Sequence, residues 1–284
     1  MRKGLLLTVV LLVGLAWGSP AFADFFASEW NQDTTQNASL YRVNPTTRAV
    51  TDIGSTGQNR MIGLVVDTDS TIYAISEEAN SKLWTLNPTT GAATLVGSLG
   101  FNLQEGDMTI DPVSGKMYVA NGSGDNLYTV DKTTGAATLV GSFGALGRDV
   151  SGLQFIGSTL YGLALNDANP DTLVTVDPTT GLATLVGQTG TNFGVIAAMG
   201  RDPVSGITYI AGPSTDFGND NTLWAVNLGT GAATLQGDLN GFAFSVSGFS
   251  VSGNPTILTP EPGSLLLLAT GLAGLAGFGW RRKR

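Results

Sequence analysis

The chain has 284 residues, 42% of them hydrophobic and 39 of them glycine, which is enough for one large domain with a core and too apolar for disorder. It contains neither cysteine nor histidine, which excludes disulfides, thiolate metal sites and all chemistry built on an imidazole base. The formal net charge is −8.

The first 23 residues carry the features of a secretory signal. Arg2 and Lys3 precede an apolar run from Leu5 to Ala16, and Ala21-Phe22-Ala23 is an A-x-A cleavage site. Signal peptidase is thus the expected first processing partner, with the mature chain starting at Asp24. The apolar run is shorter than the ~20 residues of a membrane span, so a retained anchor is the weaker reading.

From Asp24 to Leu258 the chain repeats itself. Leu83-Trp84-Thr85-Leu86-Asn87-Pro88-Thr89-Thr90-Gly91 returns as Leu127-Tyr128-Thr129-Val130-Asp131-Lys132-Thr133-Thr134-Gly135, and further copies begin at Leu40, Leu173 and Leu223. The anchors Asn44, Asn87, Asp131, Asp177 and Asn227 recur every 43 to 50 residues, the period of a four-stranded propeller blade.

Each copy predicts a hairpin, with proline at the second position of a type I turn in three of the five and glycine at the left-handed position after it. Arg48 replaces that glycine in the first copy, so a turn of different shape is expected there. A second hairpin fills each interval, with the clearest turns at Asp111-Pro112-Val113-Ser114-Gly115 and Asp202-Pro203-Val204-Ser205-Gly206.

If the strands of a blade are lettered A to D from the inside outwards, the chain opens on a B strand, Phe25 to Glu29. It ends on an A strand, Phe244 to Val251. The fold class expected is all-β: a five-bladed β-propeller of four-stranded antiparallel blades, closed where the last strand pairs with the first and leaving no exposed edge at the joint.

Pro260-Glu261-Pro262 follows the repeats. An apolar stretch from Ser264 to Trp280 comes next, then Arg281-Arg282-Lys283-Arg284. Seventeen residues at 1.5 Å each reach about 26 Å, so residues 264–280 are expected to be a single transmembrane helix with its basic end in the cytoplasm. The predicted domains are therefore a signal peptide at 1–23, a propeller at 24–258 and a sorting tail at 259–284.

Pro-Glu-Pro, one apolar span and a basic terminus resemble the PEP-CTERM sorting signal of Gram-negative bacteria that make extracellular polysaccharide. The resemblance implies recognition by a membrane-embedded exosortase, cleavage near Pro260-Glu261-Pro262, and delivery to the cell surface or extracellular matrix. The repeats are similar to uncharacterised bacterial propeller domains; they lack the Trp-Asp signature of WD40 and the double glycine of kelch.

In such a ring the A–B and C–D turns share one face, and the longer B–C and D–A connections share the other. The second face is irregular and rich in Asp and Asn, so it is the candidate for recognition. Between Asp24 and Leu258, 8 Lys/Arg stand against 21 Asp/Glu, a net charge of −13 that excludes nucleic acid as a partner and favours solubility.

No cofactor is expected. The best calcium candidates are Asp216, Asn219 and Asp220, with Asn166 to Asp171 behind them, although Asx-rich loops ordinarily serve as turns. For an extracellular polysaccharide, Trp30 and Phe217 are the aromatic residues placed to stack on sugar, whereas Trp84 and Trp224 belong to C strands and the core. A glycoside-active enzyme is the alternative function and would have to use carboxylates alone. Glu105, Asp107 and Asp149, near the starts of A strands, are the residues for it. A non-catalytic binding or structural module is the favoured expectation, because an active site needs unlike residues converging on one point.

Overall fold

In the computed structural model we describe residues 23–30, 35–145, 149–165, 170–194, 196–213 and 220–251. The chain opens with β1 (Phe25–Trp30), β2 (Ser39–Val43) and β3 (Val50–Ser55). Four groups of four follow. They are β4 (Met61–Val66), β5 (Ile72–Ser76), β6 (Lys82–Leu86) and β7 (Ala93–Ser98); then β8 (Met108–Ile110), β9 (Met117–Asn121), β10 (Asn126–Val130) and β11 (Ala137–Ser142). After these come β12 (Asp149–Ile156), β13 (Thr159–Leu165), β14 (Thr172–Val176) and β15 (Ala183–Gln188), and then β16 (Ala198–Arg201), β17 (Thr208–Pro213), β18 (Asn221–Val226) and β19 (Ala233–Asp238). A last strand, β20 (Ser245–Val251), stands alone in sequence.

The strands form five four-stranded antiparallel sheets, and β20 joins the chain's first three strands in the order β20-β1-β2-β3. Phe25 pairs with Val251 and Trp30 with Ser245. The expected five-bladed ring closed by its two ends is therefore the observed fold. We number that composite sheet blade I and the following groups blades II to V. The predicted transmembrane helix and the signal peptide, apart from Ala23, lie outside the described residues. Among the described residues no helix is long and apolar enough to cross a membrane.

Burial falls from the axis outwards. The inner strand β4 is buried throughout, whereas β7, β11, β15 and β19 have no fully buried position and expose half or more of theirs. Five apolar clusters fill the five interfaces between blades. A strand packed between two blades is covered on both faces, which is why the inner sequences show no clean alternation.

Glycine permits two close approaches. A Cβ on Gly97, in the outer strand of blade II, would lie 1.9 Å from the Thr134 carbonyl in the C–D turn of blade III, and Gly141 meets Thr180 at 2.0 Å in the same way. Across these seams the amides of Ala93, Ala137, Ala183 and Ala233 donate to Thr56, Leu99, Phe143 and Thr189 of the preceding blade. Each C–D pair also carries a bulge at the equivalent position, such as Leu83/Trp84 and Leu127/Tyr128, which twists the outer edge away from further pairing.

The first turn corrects an expectation. Arg48 takes φ 60° and its amide donates to Asn44 at 2.7 Å, the same bond that Gly91 makes to Asn87 at 2.9 Å. The Asn44 carboxamide also receives the amides of Thr46 and Thr47, at 3.0 and 2.9 Å. These bonds hold a left-handed arginine that costs about 1 kcal/mol. Its side chain lies over Gly237, where the other seams place glycine against glycine.

Candidate functional site

The face made by the B–C and D–A connections carries a cleft of about 170 Å³ lined by Arg60, Glu77, Glu78, Ala79, Asn102, Leu103 and Gln104. Ser81 ties two of its lining segments together. This buried residue exchanges backbone bonds with Leu99 and Phe101, receives the Leu103 amide on its hydroxyl at 2.9 Å, and donates that hydroxyl to the Glu78 carbonyl at 3.1 Å. Asn80, at φ 59°, sends its amide to the Asn102 side chain at 2.7 Å. One B–C turn and one D–A connection are thereby held together.

Charge in the cleft is balanced internally. Arg60 and Glu77 form an ion pair at 3.8 Å, and Lys82 bonds Glu78 at 2.9 Å. The Arg60 guanidinium sits 5.3 Å from the centre of the Trp30 ring, whose indole N–H donates to Glu77. The resulting surface offers hydrogen-bonding groups of both kinds with no net charge, and Asn102 and Gln104 border it.

Trp30 is thus at the predicted face but not open on it. Only 7% of it is exposed and it belongs to the core between blades II and III, so sugar stacking on its ring is blocked by Arg60 and the surrounding side chains. Trp84 is buried, with its indole N–H on Ser76 at 2.9 Å, and Trp224 packs edge-on against Phe193. Phe217, Asp216 and Asn219 lie outside the described residues, whereas Asp220 precedes β18 and is exposed.

Of the expected carboxylates, Asp107 is set apart from the other two. Asp107 lies inside the ring, 2% exposed, with its carboxylate directed at the inner strands. It accepts the amides of Met108 at 2.8 Å, Leu153 at 3.0 Å and Met199 at 3.4 Å, and also that of Leu64, so one side chain gathers β8, β12, β16 and β4. Gly63, at φ 71°, makes room for it. Burial pushes this carboxyl well above the usual range despite the four amides, which favour the anion. Its place on a ligand face is therefore corrected: its oxygens are turned to the backbone.

Glu105 and Asp149 remain half-buried near the loop face, beside the Gly122 turn. Asp149 also raises the pKa of Asp125, after burial, the larger cause. Among the described residues no group of three or more Asp or Glu is placed to hold a metal ion.

Sequence reading found the face but missed Arg60, Asn102 and Gln104. Its mark for the face was irregular length and Asp/Asn-rich loops, which Arg60 and Gln104 do not carry and which Asn102 carries only as a single residue. It also missed Glu29, 1% exposed, which accepts the Ser39 amide at 3.0 Å, the Tyr41 hydroxyl at 2.9 Å and the Phe244 amide at 3.2 Å.

Comparison with known proteins bears on both halves of the chain. The PEP-CTERM protein-sorting motif matches residues 258–283. The chain carries a PEP-CTERM sorting signal. It is accordingly an exported protein of the exosortase-sorted kind, held at the membrane for sorting in a Gram-negative bacterium, with a β-propeller ahead of the signal. A repeat of unknown function, DUF6923, matches residues 65–200, from β4 into β16. No curated protein matches in sequence.

Among solved structures, a chain of the nidogen/laminin complex superposes with a TM-score of 0.53 at 10% identity, covering 81% of this chain and 98% of that one. TolB from Acinetobacter baumannii gives 0.49 at 11% identity, with 81% and 66% covered. A protein from Lactobacillus plantarum gives 0.41 at 14%, with 76% and 67% covered. The first of these is a likeness of fold alone.

Proposed function

We propose that this PEP-CTERM protein is a cell-surface or extracellular-matrix component whose propeller is a non-catalytic binding module for extracellular polysaccharide, with the cleft of Arg60, Glu77, Glu78, Asn102 and Gln104 as its contact point. The carrying observation is that cleft. It lies on the irregular face, its charges cancel, and its amide and carboxylate groups suit the hydroxyls of a neutral sugar. Asp107, the innermost of the carboxylates considered for glycoside chemistry, has its oxygens on backbone amides, which favours binding over turnover. The division of the chain into a signal at 1–23, a propeller at 24–258 and a tail at 259–284 belongs to the same reading, as does the membrane helix at 264–280.

A glycan array probed with the purified full chain and with Arg60→Ala tests it. Retention of polysaccharide fragments by the full chain, weakened about tenfold or more by Arg60→Ala, is the expected result, corresponding to ~1.4 kcal/mol. Binding untouched by the substitution removes the cleft from the reading. Hydrolysis of a bound glycan replaces it with an enzyme.

A further inference from the structure

One position of the inner strand recurs around the ring. Leu64 pairs with Ala74, Met108 with Val119, Leu153 with Gly162, Met199 with Ile210 and Phe249 with Ala27. Each partner directly follows the aromatic residue of its B strand, Tyr73, Tyr118, Tyr161, Tyr209 or Phe26, so these five inner residues stand at the same register in blades II, III, IV, V and I. The residues ahead of them are Gly63, Asp107, Gly152, Ala198 and Gly248. Four blades thus bring no more than a methyl group to that place, and blade III alone brings a functional side chain.

That side chain is a ligand for the backbone of the ring. The Asp107 carboxylate accepts the amides of Met108 at 2.8 Å, Leu153 at 3.0 Å and Met199 at 3.4 Å, together with that of Leu64. These are four of the five equivalent residues, one from each of blades II to V. A point within hydrogen-bonding reach of four blades lies in the space they enclose. Every side-chain partner of Asp107 among the described residues is a donor, so a proton on the carboxyl would find no acceptor there. Amides converging in this way favour an anion whatever molecule supplies it.

We infer that the repeat builds an anion-binding site on the axis of the propeller, that Asp107 is its resident ligand, and that this side chain closes the axis to outside molecules. Emptied of it, the axis becomes a receptor for a small carboxylate. The site is separate from the loop-face cleft and holds whatever the cleft binds.

Size makes the test specific. Asp107→Ala removes the carboxylate and leaves room for formate, whereas Asp107→Gly removes the methylene as well and admits acetate. Thermal unfolding of the full chain near neutral pH, in sodium formate, acetate or chloride at equal ionic strength, reads the outcome. The unsubstituted protein should shift by less than ~1 °C among the three salts, because its site is filled. Both variants should unfold earlier in chloride. Formate at ten times its Kd should raise the Tm of Asp107→Ala by about 3–6 °C and saturate, acetate should leave that variant unmoved, and acetate should raise Asp107→Gly by a similar amount. A variant too weak to fold in chloride should be recovered by refolding in its own anion. Rescue of neither variant by either anion overturns the inference, and so does equal rescue of both by chloride. Asp107→Asn gives a second reading that needs no rescue: it keeps the shape but sets an NH2 group against amide donors, so it should lose stability and respond to neither anion. An Asn variant as stable as the unsubstituted chain overturns the anion site, since shape without charge would then suffice.

Discussion

The ring of Phe25 lies flat on that of Phe249, with centroids 4.2 Å apart and planes 7° from parallel. The stack binds the first strand of the chain to the last, and Tyr209 meets Phe25 edge-on at 5.8 Å from the neighbouring blade. Truncating a fully buried phenylalanine costs about 3–5 kcal/mol. Phe249→Ala should therefore lower stability by that amount in equilibrium urea unfolding. Deleting Phe244 to Val251 removes an inner strand and the closure together and should abolish the cooperative transition; an unchanged transition would show that the ring does not depend on its joint.

Stability should respond to pH through the buried carboxyls. Burial raises the pKa of Glu29, against the Ser39, Tyr41 and Phe244 bonds that lower it, and raises that of Asp107 further. A carboxyl whose folded pKa is raised holds its proton more tightly folded than unfolded. Its contribution is thus most favourable below the unfolded value, about 4, and declines as pH rises through the folded value. The turn carboxylates Asp111, Asp131 and Asp177 have lowered values and act in the opposite sense, losing their contribution as pH falls below about 4. Above pH 4 the buried pair should govern, so Tm should fall with rising pH and Glu29→Gln should flatten that slope. A Tm that climbs steadily from pH 4 to 8 contradicts this.

Gly97→Ala should cost at least ~2 kcal/mol, because the obstacle to its Cβ is the Thr134 backbone carbonyl and not a side chain able to move aside. Gly157→Ala is the control for glycine with open space around it, where only the left-handed φ of 61° opposes the new side chain. Equal losses at the two sites would argue against tight contact between blades.

Lys132 bonds Asp67 at 2.7 Å and links the C–D turn of blade III to the A–B turn of blade II. The lysine is partly exposed, so a double-mutant cycle of Lys132→Met and Asp67→Asn should give a coupling of only ~0.2–1 kcal/mol. A coupling beyond about 2 kcal/mol would make this pair a principal fastening of the ring.

The calcium loops are open to a direct measurement on the full chain. Asp220 is the described member of the stronger candidate, and we expect a Tm that moves by less than ~1 °C between millimolar calcium and chelator, since Asx side chains satisfy their own turns. A rise of several degrees would assign the loops a resident cation.

The number of blades and the joint between the chain ends were legible because the hairpin unit is short, repeated and punctuated by proline and glycine. Strand bounds follow from those turns almost residue by residue. Arg48 shows where local preference stops deciding: its turn copies its neighbours because Asn44 and the ladder on either side impose one geometry. The carboxylates show a different limit. Asp107 and Glu29 read alike as acidic residues beside strands, yet one gathers four inner strands and the other clamps the entry to β20. Which amides surround a side chain depends on ring closure, a relation between positions as far apart as Glu29 and Phe244. The cleft was hidden for the same reason, since Arg60, Glu77 and Asn102 come from three separate connections.

The strand continuous with the sorting tail is the innermost one of its blade, and this decides how the molecule bears load. Traction on the tail pulls β20 lengthwise, so its hydrogen bonds to β1 and its hydroxyl contacts to Met61 and Val66 resist in parallel. A tail leaving from an outer edge such as β19 would instead peel away one bond at a time. A domain hung by its hub yields to tension only as a whole.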